Sequence, residues 1–220
     1  DMPKVAFLKD KYSVLWHDMT HHPFVNEMGD GSLAPEKFRR YFLQDYVFVK
    51  DLVTMCGQAI AKAPNLDAVS IFNDFLVGIL DPENDLFKRA FQELGASEEE
   101  FVSASANPIT RAFGDFIVRT AMEGTFDDIA LMLYVTEGTY LDWGKRLKES
   151  AANPQNPIYK EWIDLHGPDV LGDLVFWLGD YIDTRSQMLE SRSEYIFLTA
   201  LRYEYLFWEA AYEEKKWFDL

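Results

Sequence analysis

Residues 35–62 read PEKFRRYFLQDYVFVKDLVTMCGQAIAK. Phe38, Tyr41, Phe42, Phe48, Val49 and Leu52 recur at helical spacing, with Asp45 in the same series, which marks one buried face of a long α-helix. Ser32 or Ala34-Pro35 opens that helix, with proline near the first turn. The same periodicity runs through nearly the whole chain, and no segment sustains the two-residue alternation of a half-buried strand. The expected fold class is all-α. Glycine and proline punctuate the pattern at His22-Pro23 and Gly29-Asp30-Gly31, Pro64, Asp81-Pro82, Gly95, Asn107-Pro108, Gly124, Asn153 to Pro157 and Gly167-Pro168. Helices are predicted over 4–20, 35–62, 66–94, 108–122, 126–151, 157–165, 169–188 and 191–214. Asp81-Pro82 is expected to kink or split the third, and Thr125 with Asp127 and Asp128 to suit the start of the fifth. No repeat and no long linker interrupts the series, so residues 1–220 are expected to pack as a single-domain helical bundle.

The chain has 220 residues, 48% of them hydrophobic, enough for one core. Asp and Glu number 37 against 21 Lys and Arg, a net charge of −16, which opposes nucleic-acid phosphates and anionic lipid. No nucleic-acid or membrane partner is expected. Cys56 is the only cysteine, which leaves no internal disulfide and no multi-cysteine metal site. No uncharged apolar stretch approaches the roughly eighteen residues of a membrane span. Lys4, Lys9, Asp10 and Lys11 interrupt any signal-like segment, and Asp1 ahead of Met2 reads as a tag remnant. A cytoplasmic protein is the expectation.

The informative positions are acids inside apolar stripes. Asp45 stands where a bundle helix ordinarily carries leucine. The last helix repeats the pattern as Phe197, Ala200, Leu201, Glu204, Phe207, Trp208, Ala211, so Glu204 faces inward. In the fifth helix Glu137 lies among Leu133, Tyr140, Leu141 and Gly144, with the Thr136 hydroxyl on the adjacent strip. A single buried acid is as well explained by a structural tie to an arginine, a tyrosine hydroxyl or a backbone amide. Three on three helices, with Tyr41, Tyr140, Tyr203 and Phe113 available as walls, point to a ligand pocket whose carboxyls hold protons tightly.

Other chemistry is poorly supported. None of His17, His21, His22 and His166 has a glutamate three residues before it, so the Glu-x-x-His pairs of di-iron bundles are missing, and neither a metal nor a cofactor is expected. His166 on spacing alone is a helix C-terminal histidine. Gly29-Asp30-Gly31 lacks the continuation of a phosphate loop, and no Gly-x-Ser-x-Gly elbow occurs. Lys37, Arg39 and Arg40 read as a solvated face, Cys56 as a buried filler, and Trp208 and Trp217 are available to a subunit interface.

The chain resembles the thiaminase II (TenA) family of haem oxygenase-like helical bundles along nearly its whole length. The resemblance rests on His22-Pro23-Phe24-Val25, residues Gly29 to Phe38, Tyr41-Phe42-Leu43-Gln44-Asp45-Tyr46, Pro157-Ile158-Tyr159 with Trp162-Ile163, and Tyr203-Glu204-Tyr205-Leu206-Phe207-Trp208 followed by Ala211-Tyr212. It implies a pocket for the pyrimidine half of thiamin and hydrolysis at its exocyclic methylene. Asp45 matches the residue that binds the pyrimidine amino and ring nitrogens, Glu204 the catalytic acid/base, and Tyr140 a pocket tyrosine. Phe48, Phe113 and His166 stand where other members often carry aromatic or tyrosine residues. The family's Pro-Cys pair is replaced by Val135-Thr136, which resembles the branch without an active-site thiolate. That branch takes aminopyrimidine or its N-formyl derivative, and Glu137 is the candidate extra acid.

The expected function is therefore hydrolysis of aminopyrimidines to hydroxymethylpyrimidine, with Glu204 and Glu137 dividing the acid and base roles. Asp45, Tyr41, Phe48, Phe113, Thr136, Tyr140 and His166 would bind substrate, and thiamin cleavage itself would be weak. The resemblance also implies a homotetramer. Two alternatives stand beside this reading: an oxidase resembling pyrroloquinoline quinone synthase, and a non-catalytic pyrimidine-binding or regulatory protein.

Overall fold

A computed structural model describes residues 2–150 and 154–219. Asp1, the end of the predicted fifth helix at 151 and the start of the break at Asn153 lie outside the described residues. All regular elements among the described residues are helical, as the spacing predicts. The predicted helix over 4–20 is two, α1 (Lys4–Lys11) and α2 (Ser13–Thr20). They part at Tyr12, whose hydroxyl, with Lys11, is drawn to the Glu194 carboxylate.

The stretch expected as a break contains a helix, α3 (Pro23–Asp30). His22-Pro23 starts it: Pro23 needs no N–H partner there, and His22 Nδ1 accepts the Phe24 N–H at 3.0 Å. Gly29 and Asp30 belong to this helix, and Gly31 ends it at φ +84°, where a side chain would be strained. The quoted stretch is α4 (Pro35–Lys62), with Ala34 at its N-cap and Pro35 at its first position. The predicted helix over 66–94 divides into α5 (Leu66–Gly78), a wide π-helical segment Ile79–Glu83, and α6 (Asn84–Glu93). Pro82 sits inside the wide segment. Its missing N–H cannot complete an α-helical ladder, and the chain absorbs the loss by widening instead of stopping.

A short helix absent from the sequence reading, α7 (Glu98–Val102), starts where the Ser97 hydroxyl accepts the Glu100 N–H. Then come α8 (Pro108–Glu123), α9 (Phe126–Glu149), α10 (Pro157–Asp164), α11 (Pro168–Thr184) and α12 (Glu190–Tyr212). Thr125 and Asp128 form a reciprocal capping box at the start of α9. Sixteen of the 24 residues of α9 are buried, because α4, α8, α11 and α12 surround it. An inward acid on α9 therefore has no route to solvent except through a cavity.

Two surface expectations are corrected by packing. Trp208 is fully buried, 4.8 Å from the Phe24 ring and 5.5 Å from Tyr140, so it serves the core and not a subunit interface. Arg40 and Lys37 are half-buried. The Arg40 guanidinium donates to the carbonyls of Ala211 and Tyr212 at the end of α12, Arg39 pairs with Glu100, and the Lys37 ammonium lies 3.3 Å from the Tyr212 ring centre. Arg40 and Lys37 thus close the C-terminus of α12, and Arg39 ties α4 to α7, instead of forming a solvated face.

Candidate active site

The acids predicted from three separate stripes meet at one cavity. From α4 come Asp45 and Phe48, from α8 Phe113, from α9 Thr136, Glu137 and Tyr140, and from α12 Glu204 and Phe207. The turn after α10 adds His166. The cavity they enclose is narrow, about 40 Å³, room for a few water molecules with the side chains as they stand. Gly144 of α9 makes room for His166: a Cβ there would strike the His166 carbonyl. Eight of the nine sequence-predicted site residues line this cavity; the ninth, Tyr41, does not. Tyr41 is fully buried behind the wall, and its hydroxyl meets that of Tyr140 at 2.5 Å. It holds Tyr140 in place from behind, together with the Trp208 ring that stacks on Tyr140 at 18°. Tyr203 likewise stacks on the back of Phe113, at 5.4 Å.

A fourth acid joins the three. Glu83, the last residue of the π-helical segment, lines the cavity with Asp45, Glu137 and Glu204. Periodicity does not reveal it: the wide turn shifts the helical phase, so Glu83 falls on no apolar stripe of regular spacing. The available signal was Pro82 inside an otherwise helical run, directly before an acid.

The environment of the four carboxyls is one-signed. None of them makes a hydrogen bond or ion pair among the described residues, and no lysine or arginine lines the cavity. Burial lifts the Asp45 carboxyl to about 7. Burial, then the neighbouring Asp45 charge, lifts Glu137 to about 8. Glu204 stands well above the ordinary carboxyl range through burial and the charges of Glu137 and Asp45, and Glu83 through burial and the charges of Asp45 and Glu137. Four such groups cannot all ionise together. At neutral pH the cluster holds protons, so it has both acid and base available to one ligand.

The other polar groups are fixed. His166 Nδ1 donates to the Trp162 carbonyl at 2.7 Å, which leaves Nε2 as the ring's lone-pair acceptor. Burial pushes the imidazole down to about 4, so it is neutral at physiological pH. Thr136 donates its hydroxyl to the Leu133 carbonyl at 3.1 Å and lines the cavity. Cys56 is buried outside the lining, its thiol pushed up to about 12 by burial and by the Glu137 charge. A buried thiol held protonated in this way is a poor nucleophile. Among the described residues no group of three or more His, Cys, Asp or Glu is arranged to hold a metal ion.

A second, roomier chamber, of about 280 Å³, adjoins the first. Ile71, Asp74, Pro82, Leu165, Val170 and Asp173 form its outer part, and Phe75, Ile79, Glu83, Glu137 and His166 are common to both chambers. The shared residues form a neck between an inner aromatic box and an outer acidic one.

Comparison with known proteins follows the same outline. The sequence model described as the TENA/THI-4/PQQC family matches residues 9–214. A protein of Halalkalibacterium halodurans called aminopyrimidine aminohydrolase is 31% identical over 220 residues, covering 98% of each chain. The Bacillus subtilis protein of the same name is 26% identical over 211 residues, 93% of this chain and 87% of that one. Among solved structures, a TenA homologue from P. horikoshii superposes with a TM-score of 0.87 at 23% identity, covering 96% of this chain and 99% of that one. At that identity the likeness establishes the shared fold. No helix among the described residues is long and apolar enough to cross a membrane.

Proposed function

Because the chain belongs to the TENA/THI-4/PQQC family, we propose that it is a hydrolase of thiamin-pyrimidine salvage, an aminopyrimidine aminohydrolase that works without a cysteine nucleophile. The observation that carries the reading is the aromatic cavity with four proton-holding, unpaired carboxyls and no thiol in its wall. Phe48, Phe113, Phe207 and Tyr140 offer ring faces to a flat heterocycle. Asp45, with a proton affinity near neutrality, exchanges hydrogen bonds with the amino group and ring nitrogen of an aminopyrimidine. Glu204 and Glu137 supply acid and base for the attack of water at the exocyclic methylene and departure of the amine or formamide.

The resemblance to an oxidase that handles a polyanionic quinone precursor is disfavoured, since neither chamber offers a cation to such a substrate. The finer parts of the proposal are that residues 1–220 work as one domain, in the cytoplasm, as a homotetramer. Exposed Phe7, Phe176 and Phe218 supply apolar surface for subunit contact, and light scattering on the purified protein reads the assembly directly.

The decisive assay offers thiamin, aminopyrimidine and N-formylaminopyrimidine to the purified protein. Turnover of one or both aminopyrimidines with weak thiamin cleavage is expected, unchanged in Cys56→Ala. Brisk thiamin cleavage that survives Cys56→Ala would refute the thiol-free mechanism. Binding of hydroxymethylpyrimidine without turnover of any substrate would make the protein a pyrimidine binder.

A further inference from the structure

The two chambers differ in what closes them, and that difference orients a substrate. The inner one is walled by Phe48, Phe113, Trp162 and Phe207, with Asp45 and Glu204 as its own acids. Neither Asp45 nor Glu204 lines the outer chamber, whereas Glu83, Glu137 and His166 line both. A heterocycle held against the aromatic walls therefore directs its exocyclic bond at the neck, and the departing group moves outward through it. Two buried polar groups mark the site as built for a ligand: Glu204 is 5% exposed with no hydrogen bond among the described residues, and His166 is 5% exposed with Nδ1 engaged and Nε2 without a partner. At the neck Glu83 comes from the π-helical segment and Glu137 from α9, and both line the two chambers.

We propose that Glu83 is a catalytic residue of the hydrolysis, the acid that protonates the departing nitrogen, with Glu137 as its partner toward water. The proposal rests on the hydrolase reading above and reassigns the proton donor from the inner chamber to the neck. The carbon–nitrogen bond breaks with its electron pair going to nitrogen, and the Glu83 carboxyl proton joins that nitrogen, so a free amine leaves as ammonia. The oxygen of the incoming water bonds the methylene carbon. Its surplus proton goes to Glu137 and is shared back to Glu83, which restores the pair. The charges of Asp45 and Glu137 beside Glu83 keep its proton in place until a nitrogen takes it. Asp74 and Asp173 at the outer chamber favour the ammonium that the released ammonia becomes once it takes a proton from solvent there.

The test compares two substrates sharing the pyrimidylmethyl group: the free amine, whose nitrogen needs a proton to leave, and a nitroanilino derivative, whose nitrogen leaves with little help. Loss of a general acid costs about 10²-fold or more on the first and under about 10-fold on the second. Glu83→Gln should show that split in kcat, and Glu83→Asp, which restores an acid, should recover the amine reaction to within about 10-fold of the starting enzyme. Glu83 makes no hydrogen bond among the described residues, so the amide should fold, and a melting curve verifies it. An active parent enzyme whose Glu83→Gln variant loses both substrates equally, or neither, overturns the assignment of Glu83 alone. A parent enzyme inactive on both overturns the hydrolase reading and this proposal with it.

Discussion

Two buried acids separate the structural region of this bundle from its chemical one. Asp128, at the start of α9, and Glu204, near the middle of α12, are each 5% exposed. The Asp128 carboxylate accepts the Thr125 N–H at 3.1 Å and a guanidinium N–H of Arg192 at 3.2 Å. Glu204 has no hydrogen-bond or charge partner among the described residues and sees only other carboxyls, aromatic rings and empty space. Equal burial thus serves opposite ends. A satisfied acid fixes the entry of a helix, while an unsatisfied one costs stability unless it is kept protonated and used.

Substitution should break the symmetry between them. Glu204→Gln keeps the shape but removes a carboxyl that shares the cluster's protons with Glu137 and Asp45, so kcat should fall by about 10²-fold even with Glu83 as the proton donor, while the melting temperature does not drop; steady-state rates and a melt on one preparation check both. Asp128→Ala removes a cap and an ion pair, so it should cost about 1–2 kcal/mol in denaturant unfolding and leave kcat unchanged. The subtlest expected effect is on pH. The cavity acids hold their protons more tightly folded than unfolded, so the folded state is favoured at low pH and loses stability as pH rises from the ordinary carboxyl range through about 7 for Asp45 and about 8 for Glu137. Urea midpoints across that window should decline for the native sequence and flatten in Glu137→Gln. A rising curve would contradict the sign.

Much of this arrangement is legible in the residues, for definite reasons. Asp45, Glu137 and Glu204 lie on long α-helices of regular pitch, where an acid inside an apolar stripe has one direction to point. The all-α class follows from the same regularity. Glu83 escapes that logic because Pro82 widens its turn. The helix α3 escapes because His22-Pro23 and Gly31 read as breaks when they are its two caps. Tyr41 and Tyr140 show another limit: both are inward tyrosines, but only the packing of α4 against α9 and α12 decides which lines the cavity and which stands behind it. The outer chamber depends on how α5, the π-helical segment and α11 meet across a long separation in the chain, which no local pattern encodes.

The central claim is that the cavity carboxyls carry protons at neutral pH because nothing else satisfies them. Infrared spectroscopy of the carboxyl C=O stretch at pH 7 measures this without substrate. The account predicts a protonated-carboxyl band in the native protein that weakens in Glu204→Gln; absence of any such band at pH 7 would contradict it.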